Sequence, residues 1–116
     1  MRAEELKGHL DALLLAALEG GPRHGYAVIE TLRQDTGGRL DLPTGTIYPA
    51  LRRLEKDALI LGNWENKRNA SSQDRPRRRY YHLTREGKDT LSGALRRYPL
   101  LSQLAPAEKE TKPVRE

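Results

Sequence analysis

Thr44-Gly45-Thr46-Ile47-Tyr48-Pro49-Ala50-Leu51-Arg52-Arg53-Leu54-Glu55-Lys56-Asp57 is the stretch whose reading decides the fold. Ile47, Leu51 and Leu54 fall at i, i+4 and i+7, with Ala50 and Ala58 beside them, which is the spacing of one buried helical face. The spacing predicts a helix over about 46–57. Thr44 and Thr46 both offer oxygens that can accept from the unpaired N–H groups at a helix start. Pro49 favours Thr46, because proline fits the first turn, where its missing N–H has no helical partner. The start stays open between the two. At about 100° per residue, Gly45, Pro49, Arg52 and Lys56 lie opposite the apolar stripe, with Tyr48 and Arg53 on its flanks.

Downstream the texture changes. Residues 59–65 read as a strand weakened by Gly62, and Arg79-Tyr80-Tyr81-His82-Leu83 as a clearer one. Between them lies a basic segment, 66–79, whose Asn69-Ala70-Ser71-Ser72-Gln73 suits a flexible hairpin tip. Thr84 is placed to cap a helix over about 85–98, with Leu91, Leu95 and Tyr98 as its stripe and Pro99 as its stop. Residues 105–116 are polar and proline-containing and read as a disordered tail. Upstream, Leu6, Leu10, Leu13, Leu14, Ala17 and Leu18 mark a helix over about 4–19, stopped by Gly20-Gly21-Pro22. Another runs over about 26–35, with Tyr26, Ile29 and Leu32 on one face and Gly37-Gly38 behind it. The order is three helices, a β-hairpin and a helix: mainly α with a small antiparallel hairpin (α+β), the pattern of a winged helix-turn-helix. The expected division is one domain over 1–98 and a short, partly disordered extension over 99–116.

Composition narrows the function. The 116 residues, 36% of them hydrophobic and none of them Phe, can build one modest aliphatic core. Cysteine is absent, which excludes disulfides and thiolate metal sites. The apolar run 13–18 is too short to span a membrane, and no targeting segment is evident, so the expected compartment is the cytoplasm. The chain carries a net charge of +5, and its position is informative. Lys67, Arg68, Arg75, Arg77, Arg78 and Arg79 are opposed only by Asp74, so this one segment holds a charge equal to that of the whole chain.

That distribution gives the helix over 46–57 its meaning. Arg52, Arg53 and Lys56 with Tyr48 suit a major groove, where arginine can contact guanine in a bidentate way and tyrosine can reach a phosphate or a thymine methyl. Thr44, Gly45, Thr46 and Pro49 lie at the end where a helix N-terminus favours phosphate. Arg75, Arg77 and Arg78 of the wing would reach the adjacent minor groove or its phosphates. The bland alternative is an amphipathic helix and a loop that are merely solvated and basic. Two basic elements adjoining in the same fold weigh against it.

Four fragments carry a resemblance: Leu14-Leu15-Ala16-Ala17-Leu18, Pro22-Arg23-His24-Gly25-Tyr26, Gly45-Thr46-Ile47-Tyr48-Pro49-Ala50-Leu51-Arg52-Arg53-Leu54-Glu55, and Arg79-Tyr80-Tyr81-His82-Leu83-Thr84-Arg85-Glu86-Gly87. In that order they resemble the PadR family of transcription regulators. The resemblance implies a homodimer on a partly palindromic operator, usually a repressor released by a small molecule or stress signal. It places Tyr48, Arg52 and Arg53 on the DNA-reading helix and makes His24-Gly25-Tyr26 structural, with Gly25 allowing a tight helix entry and Tyr26 packing inward. Two departures stand out. Ala58 takes a position usually held by glycine, and the C-terminal region is short. Dimerisation would then fall to Leu6, Leu10, Leu13 and Leu14 with Leu91, Leu95 and Tyr98. Trp64, in the first wing strand, reads as core or wing packing.

Other classes fit less well. His9, His24 and His82 show no ligand spacing, and no carboxylate pair accompanies a nucleophile, so neither an enzyme nor a metal or cofactor is expected. A winged-helix protein-interaction module or a non-specific nucleic-acid binder remains the alternative. A scaffold has no use for Tyr48, Arg52 and Lys56 aligned opposite the core, and RNA binding would call for more exposed aromatics.

Overall fold

In the computed structural model, which describes residues 3–97 and side chains from residue 9 onward, the chain runs α1 (Ala3–Ala17), β1 (Arg23–His24), α2 (Gly25–Asp35), α3 (Thr44–Lys56), β2 (Ile60–Trp64), α4 (Lys67–Ser72), β3 (Arg79–Leu83) and α5 (Arg85–Arg97). The architecture is the expected α+β one, with α1 packed on α5, α2 and α3. Leu14, Leu15, Leu18, Val28, Leu32, Ile47, Leu51, Leu54 and Ile60 are fully buried, which gives an aliphatic core. Each such side chain stabilises the fold by about 1.5–3 kcal/mol. No helix among the described residues is long and apolar enough to cross a membrane. The expectations for 99–116 and Tyr98 lie outside the described residues.

The sheet has three antiparallel strands in the order β1-β3-β2, one more than the sequence suggested. Ile60 pairs with Leu83 and Trp64 with Arg79, while Arg23 and His24 pair with Tyr81 and Tyr80 on the other edge of β3. A two-residue strand leaves no alternation to read. Arg23 also donates from Nε to the Ala17 carbonyl at 2.8 Å, closing the end of α1.

Helix α3 begins at Thr44, two residues before the favoured start, with Pro43 as its cap and no side-chain capping bond. Pro49 therefore lies in the second turn, and the Gly45 carbonyl receives no N–H from it. Three helices end in the same way. At Gly37, Ala58 and Asp74 φ is +64°, +62° and +54°. In each case the next residue donates back over the turn: Gly38 N to Arg33 O, Leu59 N to Leu54 O and Arg75 N to Ala70 O. These left-handed closures satisfy the last helical carbonyls. They set the directions of the α2–α3 link, of β2 and of the descending wing.

At the far end of the sheet Thr84 caps α5, accepting from Gly87 N at 3.0 Å and donating to the Ala58 carbonyl at 2.7 Å. A Cβ on Gly87 would fall 2.0 Å from the Leu59 carbonyl oxygen, so α5 docks against the α3–β2 turn only with glycine there. Leu91 and Ala94 are its buried face.

Candidate nucleic-acid interface

Helix α3 buries Ile47, Ala50, Leu51 and Leu54 and exposes Thr44, Gly45, Thr46, Tyr48, Pro49, Arg52 and Lys56. The opposed faces follow from the helical period. Arg53 departs from the expected set. Its guanidinium is half-buried and paired with Asp11 of α1, so it braces α3 against α1. Glu55, on another side of α3, accepts from Arg79 of β3 at 2.6 Å. Half-exposed pairs of this kind contribute up to about 1 kcal/mol, and their larger consequence here is a fixed orientation for α3.

Of the His24-Gly25-Tyr26 triplet, His24 and Gly25 have structural roles and Tyr26 does not. A Cβ on Gly25 would stand 2.3 Å from Cε1 of Tyr48, so this glycine admits the ring of the α3 tyrosine. Tyr26 does not pack inward; it is 57% exposed, because the buried face of α2 runs through Gly25, Val28, Ile29 and Leu32. His24 caps α2, its Nδ1 accepting from Ala27 N at 3.3 Å, which requires an unprotonated Nδ1. Burial, and then the positive charges of Arg78 and Arg75, hold the His24 pKa below its usual value, while Glu65 acts in the opposite sense.

The wing is not a flexible tip but a short helix clasped by one acid. Asn66 caps α4, accepting from Asn69 N at 2.7 Å. Glu65 is buried and gathers the segment around its carboxylate. Arg75 donates to its two oxygens at 2.7 and 2.8 Å, Asn69 Nδ2 at 2.6 Å and Arg78 N at 3.1 Å. The Arg75 bonds, followed by those from Asn69 and the Arg78 backbone, hold the Glu65 carboxyl at about 2, against the opposing effect of burial. Arg77 donates from Nε to the Glu65 carbonyl at 2.9 Å. Arg75, expected to reach DNA, is therefore engaged within the wing. Sequence reasoning missed Glu65, although an isolated acid beside a basic run and an Asn66-x-x-Asn69 cap were the available signals.

Trp64 is neither core nor covered wing packing: it is 57% exposed. With His24, Gly25, Tyr26, Tyr48, Arg52, Glu55, Arg77, Arg78, Arg79 and Tyr81 it lines an open cleft of about 540 Å³ between α3 and the wing. Gly62 serves this cleft, since a Cβ there would meet Arg79 Nε at 2.7 Å. Among the expected dimer residues, Leu13, Leu14 and Leu91 are inside the protomer's own core, while Leu10 and Leu95 are partly buried against it. The first three hold α1 and α5 in place and offer no surface to a second copy. The Leu6 side chain lies outside the described ones.

Helices α2 and α3 followed by a β-hairpin that stands beside α3 make this a winged helix-turn-helix, with a basic exposed face on α3 and a basic wing. The profile described as "Transcriptional regulator PadR-like family" matches residues 14–93, more than half of the chain. The chain belongs to the PadR-like family of transcriptional regulators. A PadR family transcriptional regulator from Eggerthella lenta is 31% identical, with a TM-score of 0.66 and coverage of 94% of this chain and 89% of that one. A transcriptional regulator from Clostridium thermocellum superposes with a TM-score of 0.71 at 24% identity, covering 97% and 99%. Bacillus subtilis PadR, solved in complex with operator DNA, gives a TM-score of 0.66 at 21% identity, covering 92% of this chain and 50% of that one. The last two likenesses bear on the fold alone.

Proposed function

We propose that the chain is a sequence-specific, double-stranded-DNA-binding repressor that acts in the cytoplasm as a homodimer on a partly palindromic operator. The observation that carries this reading is the solvent face of α3. Tyr48, Arg52 and Lys56 are exposed opposite buried Ile47, Leu51 and Leu54, a side from which helices enter major grooves. Arg52 reads a base edge. Tyr48, Thr44, Gly45, Thr46, Pro49 and Lys56 position the helix on the phosphates and groove wall. Arg77 and Arg78 supply the wing's positive charge, while Arg53 and Arg75 position the two elements from behind. Bacillus subtilis PadR binding operator DNA supports a duplex partner. The dimer forms through the outer surfaces of α1 and α5, around Leu10 and Leu95, and a small-molecule effector acts on that assembly.

Selection from a random duplex library with the purified protein at near-physiological salt tests this reading. The expected outcome is an enriched inverted repeat with half-site centres about one helical turn apart. Binding without enrichment, vanishing as salt rises, would leave only a non-specific polycation effect.

A further inference from the structure

Trp64 is the single tryptophan of the chain. It sits on β2 opposite Arg79, with 57% of its surface in solvent. The guanidiniums of Arg77 and Arg79 lie 5.7 and 5.3 Å from its ring. Cations drawn to an indole by its quadrupole steady the ring without removing it from water. Tyr48, 40% exposed, and Tyr26, 57% exposed, line the same cleft. Exposed apolar rings with a charged rim mark an interaction surface.

The chemistry of the lining points to one occupant. A DNA strand alternates an apolar deoxyribose with an anionic phosphate. The cleft sets aromatic rings (Tyr26, Tyr48, Trp64) among guanidiniums (Arg52, Arg77, Arg78). When a helix lies in a major groove, the strand bounding that groove passes between the helix and an adjoining wing. Resting on the DNA-binding reading above, we propose that this cleft seats one sugar–phosphate strand of the bound duplex, with the Trp64 indole packed on its deoxyribose. The wing then makes its main contact at the C-terminal end of β2 and not on α4.

The full chain is titrated with the duplex enriched by selection and with a mixed-sequence duplex at low salt. Fluorescence anisotropy of labelled DNA reports binding, and intrinsic emission excited beyond the tyrosine absorption band reports Trp64 alone. The expected result is an emission change parallel to the anisotropy, with Trp64→Leu binding about tenfold more weakly, as is usual for a buried aromatic anchor. The salt slope stays unchanged, because an indole releases no counterions. Thermal melting of Trp64→Leu verifies that the fold is intact. If anisotropy rises but emission stays constant, or Trp64→Leu binds like wild type, DNA binding stands and the seat is wrong. Emission that shifts with protein concentration in the absence of DNA would assign the indole to a second copy and overturn the seat. No binding to either duplex would remove both readings together.

Discussion

On α3, Arg52 and Lys56 project into solvent with no hydrogen-bond or ion-pair partner among the described residues, whereas in the wing Arg75 is bound to Glu65 and Arg79 to Glu55. The same residue types serve different ends because the two backbones need different help. A helix fixes its outer face by its own period, so its cations are free for a ligand. The wing spans two short strands and a long connection, which cannot hold a shape without internal contacts. Glu65 supplies these by collecting donors from α4, Arg75 and Arg78. A run of positive charge in a sequence therefore overcounts the contacts it can make. Some of those cations are scaffold.

The largest expected effect tests that scaffold. Glu65→Ala removes one acceptor shared by three residues and leaves the partly buried Arg75 guanidinium without its acid. Amide hydrogen exchange should show residues 66–78 losing protection while α3 keeps its own. Equal protection in Glu65→Ala and the wild type would show that the clasp does not hold the wing. Acid provides a second view. The Glu65 carboxyl titrates at about 2 in the folded chain, below the ordinary value of 4.5. The stability it contributes is complete above the ordinary value and is lost as pH falls towards 2. Glu65→Gln should flatten that acid limb in melting curves, and an unaltered limb would assign it to other carboxylates.

Next in size is the contrast within α3. Arg52→Ala should lose roughly 1–3 kcal/mol of discrimination at one base position in a selection profile. Arg53→Ala, next in sequence but turned to Asp11, should leave the preferred sequence unchanged and lower the melting temperature slightly. A reversal of the two outcomes would mean that α3 meets DNA with another face.

The wing charge that no carboxylate neutralises among the described residues comes third. Replacing Arg77 and Arg78 together by alanine should weaken binding to all sequences alike and lower the salt slope by about two counterions. A change of sequence preference instead would make the wing a reader, as α3 is proposed to be.

The core and the exposed basic face of α3 were legible because both depend on the helical period. Ile47, Leu51 and Leu54 had to share a side, and Arg52 and Lys56 the other. What stayed hidden depends on contacts between distant segments. The spacing says nothing of Arg53 reaching Asp11 across 42 positions, or of Gly25 making room for Tyr48. Tyr26 was assigned inward because its spacing to Ile29 suggested a shared face, yet the helix rotates so that Gly25 and Val28 are buried in its place. Trp64 was assigned to packing from its residue type, and residue type cannot report whether a neighbouring element covers it. The α4 turn was obscured by small polar residues that favour loops and caps alike.

The smallest effect concerns the joint between the two regions. The turn from α3 into β2 closes through Ala58 at φ +62°, with Ala58 N bound to Glu55 O and Leu59 N to Leu54 O. The corresponding turn after α2 closes through Gly37 at φ +64°. An L-residue in this conformation costs roughly 1–2 kcal/mol, and glycine loses part of that advantage through its freer unfolded chain. Ala58→Gly should therefore stabilise the protein by about 0.5–1 kcal/mol in denaturant melts. Its side chain is exposed, so no packing is lost. DNA affinity should not change, because the turn's geometry is already that of a glycine turn. Stabilisation accompanied by weaker binding would mean that the strain at Ala58 helps to set the angle between α3 and the wing.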